Sequence, residues 1–298
     1  MTPAQLSRTV LRTVRRAAEK GELPLSLRDD LGPRGRVVVE APPRRGEGDY
    51  SVNVAFQVAK ACGAPPHEVA RVLRAGLAEQ DGVRGVEVTG GGFLNVTLED
   101  GARAALVDEL ARSGAAPAGA DDPATDIARW SAVTGDARDA LAVRTSRSSP
   151  LFHVQYAHAR TRALARNARD LGFRGDPYAC TDGHDRAADT AVPSHAPAPP
   201  PSPAPARSPY GSPSARALLA LLADHRRISE QSGPARHARH LVSVGDAFFE
   251  FHDRCPPLPR GDEKPGAAHR ARMALVEATG AVLAGGLSQL GVTAPARL

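Results

Sequence analysis

Lysine is nearly absent from this 298-residue sequence, occurring only at Lys20, Lys60 and Lys264, although Lys and Arg together number 38. The positive charge is therefore almost all arginine. Against 33 acidic residues it leaves a formal net charge of +5 and an isoelectric point of about 9.5, a balance that suits a polyanionic partner. GC-rich coding produces the same excess of Arg, Ala, Gly and Pro, so charge alone names no partner. Aromatic residues make up 4% of the chain, which excludes a core built on large rings and favours closely packed Ala, Leu and Val helices. The three cysteines, Cys62, Cys180 and Cys255, are widely spaced and odd in number. No disulfide framework is expected, and a reducing cytoplasm fits. No apolar run approaches bilayer length, and "MTPAQLSRTVLRTVRRAAEKG" is amphipathic rather than leader-like, so no membrane partner is expected. Metal chemistry is not expected either. Cys180, His184, Asp185 and His195 have capable side chains but no tightly spaced pair. Serines are plentiful, yet none sits in a nucleophile-elbow context, and no catalytic residue is assigned.

What is present divides the chain in three. Residues 1–99 read as a small α+β domain. Leu6, Val10, Val14 and Ala17 recur at helical spacing behind Thr2 and Pro3. "RVVVEAP" (36–42) reads as a strand, and "DYSVNVAFQVAKACG" (49–63) as a helix with Val54, Val58 and Ala61 on one face, stopped by Gly63. A second helix begins at the prolines of "PPHEVARVLRAGLAEQ" (65–80). "GVEVTGGGFLNVTL" (85–98) alternates on both sides of a triple glycine, as a hairpin does. That glycine run is a turn rather than a phosphate cradle, because no helix follows it. Residues 100–125 read as a linker containing one helix. Residues 126–298 read as a mostly α bundle with helices at 151–168, 235–255 and 271–292, the last two carrying Leu241, Val244, Phe248 and Phe251, and Leu275, Ala278, Val282 and Leu290. An irregular, Pro-rich insert interrupts them at about 175–213, with nine prolines between Pro193 and Pro213.

Particular strings then resemble a known family. "PLFHVQYAHAR" within "SSPLFHVQYAHARTRAL" (148–164) is similar to the N-P-x-[FY]-Y-V-Q-Y-A-H-A-R helix of arginyl-tRNA synthetases, with His153 in place of a second aromatic. "HLVSVGDAFFEFHDRCPPL" (240–258) and the closing "AHRARMALVEATGAVLAGGLSQLGVTAPARL" (268–298) resemble the rest of that family's anticodon-binding domain, whose D-A-L-R motif is not intact here. "GDYSVNVAFQVAKACGAPPHEVARVL" and "VEVTGGGFLNVTL" resemble its additional N-terminal domain. The resemblance implies an α+β N-terminal domain joined to an anticodon-binding helical bundle, with tRNA, and tRNA-Arg in particular, as partner. The family's nucleotide-binding core has no counterpart. H-x-G-H occurs nowhere, neither Met1 nor Met273 adjoins a lysine, and the interval from Leu98 to Trp130 is too short for a doubly wound sheet. "TDIARWSAV" (125–133) stands where the family's core would exit.

Single-stranded loops are read by stacking bases on rings, hydrogen-bonding their edges and neutralising phosphates with arginine. The resemblance assigns those roles to Gln155, Tyr156, Arg160, Arg162 and Arg166 for the anticodon, and to Phe93 and Asn95 for a D-loop base. From spacing alone the same residues read as a core tyrosine, a capping glutamine, solvated arginines, a buried phenylalanine and a turn asparagine. Helical geometry turns Gln155 about 100° from Tyr156, whereas Tyr156 and Arg160 share a face. The functions left open are a tRNA-binding protein that does not aminoacylate by itself and acts with a separate tRNA-dependent enzyme, an arginine–tRNA ligase requiring ATP, and a protein-interaction scaffold. No cofactor is expected unless the ligase activity is retained. His237 and His240, beside Arg236 and Arg239, read as a basic helix face.

Overall fold

The computed structural model describes residues 1–23, 37–40, 42, 48–112, 122–145, 148–181 and 208–298. It forms two compact units, Met1–Leu106 and Val107–Leu298. The first is α+β and the second mostly α, as the sequence leads one to expect.

In the first unit, α1 (Pro3–Glu19) starts in a capping box, Thr2 and Gln5 each bonding the other's backbone, with Pro3 in the first turn. Leu6, Val10, Val14 and Ala17 are buried. The strands β1 (Val39–Glu40), β2 (Tyr50–Val52), β3 (Val83–Thr89) and β4 (Phe93–Leu98) make an antiparallel sheet in the order β1-β2-β4-β3. The strand expected over 36–42 is thus only two residues long within the described positions. The helix expected from 49 begins at Val54 instead: α2 spans Val54–Cys62, and Tyr50–Val52 are a strand. Ala61 is exposed, and Ala55 and Ala59 take its place beside Val54 and Val58. Gly63 ends α2 in the left-handed conformation, and α3 (Pro66–Ala78) follows. Helices α1 and α3 pack together, and α2 and α3 lie against β4, whose Leu94, Val96 and Leu98 are buried.

The unit continues into α4 (Asp100–Arg112), beyond the boundary expected at 99. Arg103, 3% exposed, places Nη2 2.7 Å from Asp49 Oδ2 and Nη1 2.8 Å from Asp100 Oδ1. Asp49 Oδ2 also accepts the Leu98 amide at 2.7 Å. Burial works against the charged guanidinium, but the bonds and charges of Asp49 and Asp100 outweigh it and raise its pKa.

The second unit contains α5 (Pro123–Thr134), α6 (Arg138–Ala142), α7 (Pro150–Asp170), α8 (Pro213–Gln231), α9 (Pro234–Arg254) and α10 (Ala267–Gln289). α7 packs on α9 and α10, and α8 on α9. Leu241, Val244, Phe248, Phe251, Leu275, Ala278 and Val282 are buried as their spacing requires, while Leu290 is only half-buried. The ends of the expected insert are packed. Tyr210, 1% exposed, donates to the carbonyls of Pro177 (2.9 Å) and Ala271 (3.3 Å). The remainder of that expectation, 182–207, lies outside the described residues, as do His184, Asp185 and His195.

His237 and His240 do not form a basic face. Both are buried in α9 against His225 of α8, with ring centroids 5.1 and 5.7 Å from it. Burial above all, with the neighbouring imidazoles adding, pushes His225 down to about 3 and His240 to about 4; burial lowers His237 as well. Among the described residues no group of three His, Cys, Asp or Glu side chains is arranged to hold a metal ion.

Two outcomes follow from this packing. Arg103→Ala leaves Asp49 buried and unpaired and is expected to destabilise the first unit by about 3–5 kcal/mol in urea unfolding. The unfolded chain binds protons at these histidines near pH 6.5, whereas the folded chain does so only near 4 and 3. Stability of the second unit should therefore be complete above about pH 6.5 and decline as pH falls toward those values. Urea midpoints measured from pH 7.5 down to 4.5 check this, and a flat profile would contradict it.

Candidate nucleic-acid interface

In the first unit, β4 carries an exposed ring and a buried amide, and a second amide stands at the start of α2. Phe93 is 42% exposed and meets Phe56 of α2 edge-on, centroids 5.0 Å apart. Strand alternation puts Asn95 on the same sheet face, and the register aligns it with Ser51 on one side and Glu87 on the other. Unlike Phe93, Asn95 is buried, 2% exposed, and its Oδ1 has no partner among the described residues. Asn53, one residue past the pair Val52–Leu94, likewise carries a buried Oδ1 that no described residue meets. An unpaired buried acceptor costs about 1–3 kcal/mol. The sequence singled out Phe93 and Asn95; Asn53 was hidden inside a segment read as helix.

In the second unit, Ser149 caps α7, accepting from the Phe152 amide at 3.2 Å while donating to the Leu141 carbonyl at 3.0 Å, and Pro150 follows in the first turn. Leu151, Val154, Ala157, Leu164 and Ala168 are buried, so Phe152, Tyr156 and Arg160 share the open side. Tyr156, 41% exposed, lies between Phe152 (5.9 Å, 5°) and Phe249 of α9 (5.6 Å, 20°). Arg144 stands 5.9 Å over the Phe152 ring, and Arg160 Nη2 is 3.5 Å from His252 Nε2. The buried His153 brings Nε2 to 3.0 Å from Asp246 Oδ1, but off hydrogen-bonding alignment. Its ring tilts against Phe249 at 5.5 Å. Three neighbouring rings, with Arg144 over Phe152 and Arg160 one turn along α7 from Tyr156, can act as a stacking platform.

The other predicted residues of α7 point elsewhere. The Gln155 amide donates to Asp126 Oδ2 (2.9 Å) and to the Thr293 carbonyl (3.0 Å). Asp126 Oδ1 in turn accepts from the Thr293 amide (2.9 Å) and hydroxyl (3.1 Å). Next along the helix, His158 Nδ1 lies 2.9 Å from the Pro295 carbonyl, and Arg166 Nη1 3.3 Å from that of Ala296. Burial, with Arg162 contributing, lowers the His158 pKa. Gln155, His158 and Arg166 thus hold segment 293–296 along α7. Arg162 is exposed near the Glu277 carboxylate, whose pKa burial raises despite Arg169, Arg174 and Arg162. Sequence reasoning brought Tyr156 and Arg160 together correctly on one face, but passed over Phe152, Phe249, Arg144 and His252. Phe249 was obscured because its neighbours Phe248 and Phe251 carry the core spacing.

Comparison with known proteins agrees with both halves. Residues 10–98 match the model of the arginyl tRNA synthetase N terminal domain, and residues 193–298 that of the DALR anticodon binding domain. The helix α7 lies outside both matched ranges. An arginine–tRNA ligase of Frankia alni is 36% identical over 188 residues, which cover 60% of this chain and 30% of that protein. The chain thus spans about a third of the length of that relative. A Thermus thermophilus arginyl-tRNA synthetase structure shares the fold, with 13% identity, TM-score 0.50 and full coverage of both chains. The two domains are of the aminoacyl-tRNA synthetase class. Within that class, residues 10–98 and 193–298 belong to the families of the arginyl-tRNA synthetase N-terminal domain and the DALR anticodon-binding domain.

Two substitutions on α7 separate support from surface. Gln155→Leu removes both donors from Asp126 and Thr293 and should cost about 1–3 kcal/mol of stability. Tyr156→Ala removes a half-exposed stacked ring and should cost about 1 kcal/mol or less. Thermal denaturation ranks them, and the reverse order would make Tyr156 a packing residue.

Proposed function

We propose that the protein binds tRNA, tRNA-Arg foremost, without aminoacylating it by itself, and that it works in the cytoplasm with a separate tRNA-dependent enzyme. The observation that carries this reading is the partly exposed set of rings Phe152, Tyr156 and Phe249, with Arg144 over Phe152 and Arg160 one helical turn from Tyr156. Unpaired anticodon bases would lie on Tyr156, and Arg160 would meet the adjoining backbone. In the first unit, Phe93 would stack on a D-loop base whose N–H groups fill the acceptors of Asn95 and Asn53. Gln155 and Arg166 position the closing segment rather than touch RNA, and Arg162 serves as a further phosphate contact. Two features support the lack of catalysis. The sequence has no H-x-G-H, and among the described residues the only sheet is the four-stranded antiparallel one. ATP has no role unless ligase activity is present. No helix among the described residues is long and apolar enough to cross a membrane.

Filter binding should show tRNA-Arg retained over other tRNAs, with affinity falling steeply as salt rises. Phe93→Ala and Tyr156→Ala should each weaken binding by roughly 5- to 150-fold, as loss of a stacked base does. ATP–pyrophosphate exchange with arginine should be absent, and robust exchange would establish the ligase instead. Equal retention of all tRNAs would remove the claim of identity.

A further inference from the structure

The exposed side of α1 carries a row of arginines that neither the fold nor the proposed base contacts use. Arg8, Arg12 and Arg15 recur at i, i+4 and i+7, and Arg16 adjoins them; all four are exposed. The helix has no acidic residue before Glu19. Among the described residues no carboxylate comes within salt-bridge distance of these four arginines, and the one side-chain hydrogen bond among them runs from Arg12 Nη2 to Thr9 Oγ1 at 3.2 Å. Five arginines of other helices find an acid one turn away: Arg103 with Asp100, Arg112 with Asp108, Arg226 with Glu230, Arg227 with Asp224, Arg254 with Glu250. The arginines of α7 do not, but there Arg166 bonds the Ala296 carbonyl and Arg162 and Arg169 lie near Glu277, whereas the four of α1 are all exposed.

Like charges four residues apart destabilise a helix by about 0.2–0.5 kcal/mol per pair, and α1 bears two such pairs, Arg8–Arg12 and Arg12–Arg16, without internal relief. Along the row, a surface groove of about 570 Å³ has Gln5, Arg8, Thr9, Leu11, Arg12 and Arg15 as its described lining. Arginines four apart on a helix rise by about 6 Å, the scale on which successive phosphates follow one another along a strand. The buried side of α1 packs on α3 and β1, so the row faces outward from the helical layer. Phe93 and Asn95, by contrast, occupy the sheet face opposite the buried Leu94 and Val96.

We infer that Arg8, Arg12 and Arg15 form a second RNA contact of the first unit, a track for the phosphates of a nucleic-acid strand that is separate from the base-reading surface at Phe93 and Asn95. Guanidinium groups engage phosphate oxygens in pairs of parallel N–H bonds, so a row of arginines selects a polyphosphate backbone over isolated anions. The contact is independent of sequence and supplies affinity and register, while the hairpin supplies the choice of base. This inference rests on the reading of the protein as a tRNA binder.

The experiment is a salt titration of tRNA binding by the full chain and by the triple variant Arg8→Gln, Arg12→Gln, Arg15→Gln, with Phe93→Ala alongside and circular dichroism to verify folding. Removing one arginine–phosphate pair lowers the slope of log K against log salt by about 0.7–0.9. The triple variant should therefore lose about 2 units of slope and at least roughly tenfold in affinity at 0.1 M salt. Phe93→Ala should lose affinity with its slope unchanged. Wild-type affinity and slope in a folded triple variant would overturn the track and leave tRNA binding standing. Absence of tRNA binding by the wild-type chain at low salt would overturn tRNA binding itself, and the track with it. Binding of the wild type, but not the triple variant, to vesicles of phosphatidylserine, with RNA binding equal in both, would also overturn the track and assign the row to a membrane surface. Should the triple variant fail to fold, the single variants Arg8→Gln and Arg15→Gln are each expected to remove about 0.7–0.9 of slope, and no change in either would overturn the inference.

Discussion

The helical unit depends on how closely α7 can approach its neighbours, and glycine sets that distance. A Cβ placed on Gly280 of α10 would stand 2.5 Å from Thr161 Oγ1, and one on Gly245 of α9 would stand 2.9 Å from His153 Nε2. Helix axes brought this near exclude large side chains between them, which is why a bundle with so few aromatic residues can be dense. Phe248 and Phe251 still find places in the core, whereas Phe152, Tyr156 and Phe249 lie along the α7–α9 seam, with Tyr156 partly open to solvent.

Polar groups divide by whether the fold itself satisfies them. Gln155, Asp126 and Thr293 close on one another and tie the last segment of the chain to α7 and α5. Asp49 and Arg103 do the same between β2 and α4. Asn53 and Asn95 are the contrast: they are set into the first unit with an acceptor that no described residue fills. Buried imidazole nitrogens of His153, His225, His237 and His240 in the second unit are left without a described partner in the same way.

Much of this was legible in the sequence. Helical spacing identified the buried faces of α1, α9 and α10, and alternation about the glycine run identified the β3–β4 hairpin. Tyr50–Val52 was misread because a segment this short, with Tyr50 and Val52 followed by Val54, continues either a strand or a helix, and only pairing with β4 decides between them. His237 and His240 were misread because flanking arginines suggested solvent, whereas their partner His225 lies on a helix that sequence spacing had not resolved. For the site, a motif string placed Gln155 and Tyr156 side by side, but the turn of about 100° between them sends one to the closing segment and the other to the surface. Phe249 was beyond reach for the reciprocal reason: its neighbour on the platform, Tyr156, sits on a different helix far back in the chain, and proximity of that kind exists only after folding.

The anchoring of Tyr210 on Pro177 and Ala271 joins three parts of the helical unit at one atom. A single phenol oxygen, buried with its ring, fastens the residues that follow α7, those that lead into α8, and α10 to one another, so the loss of that one hydroxyl would loosen all three at once.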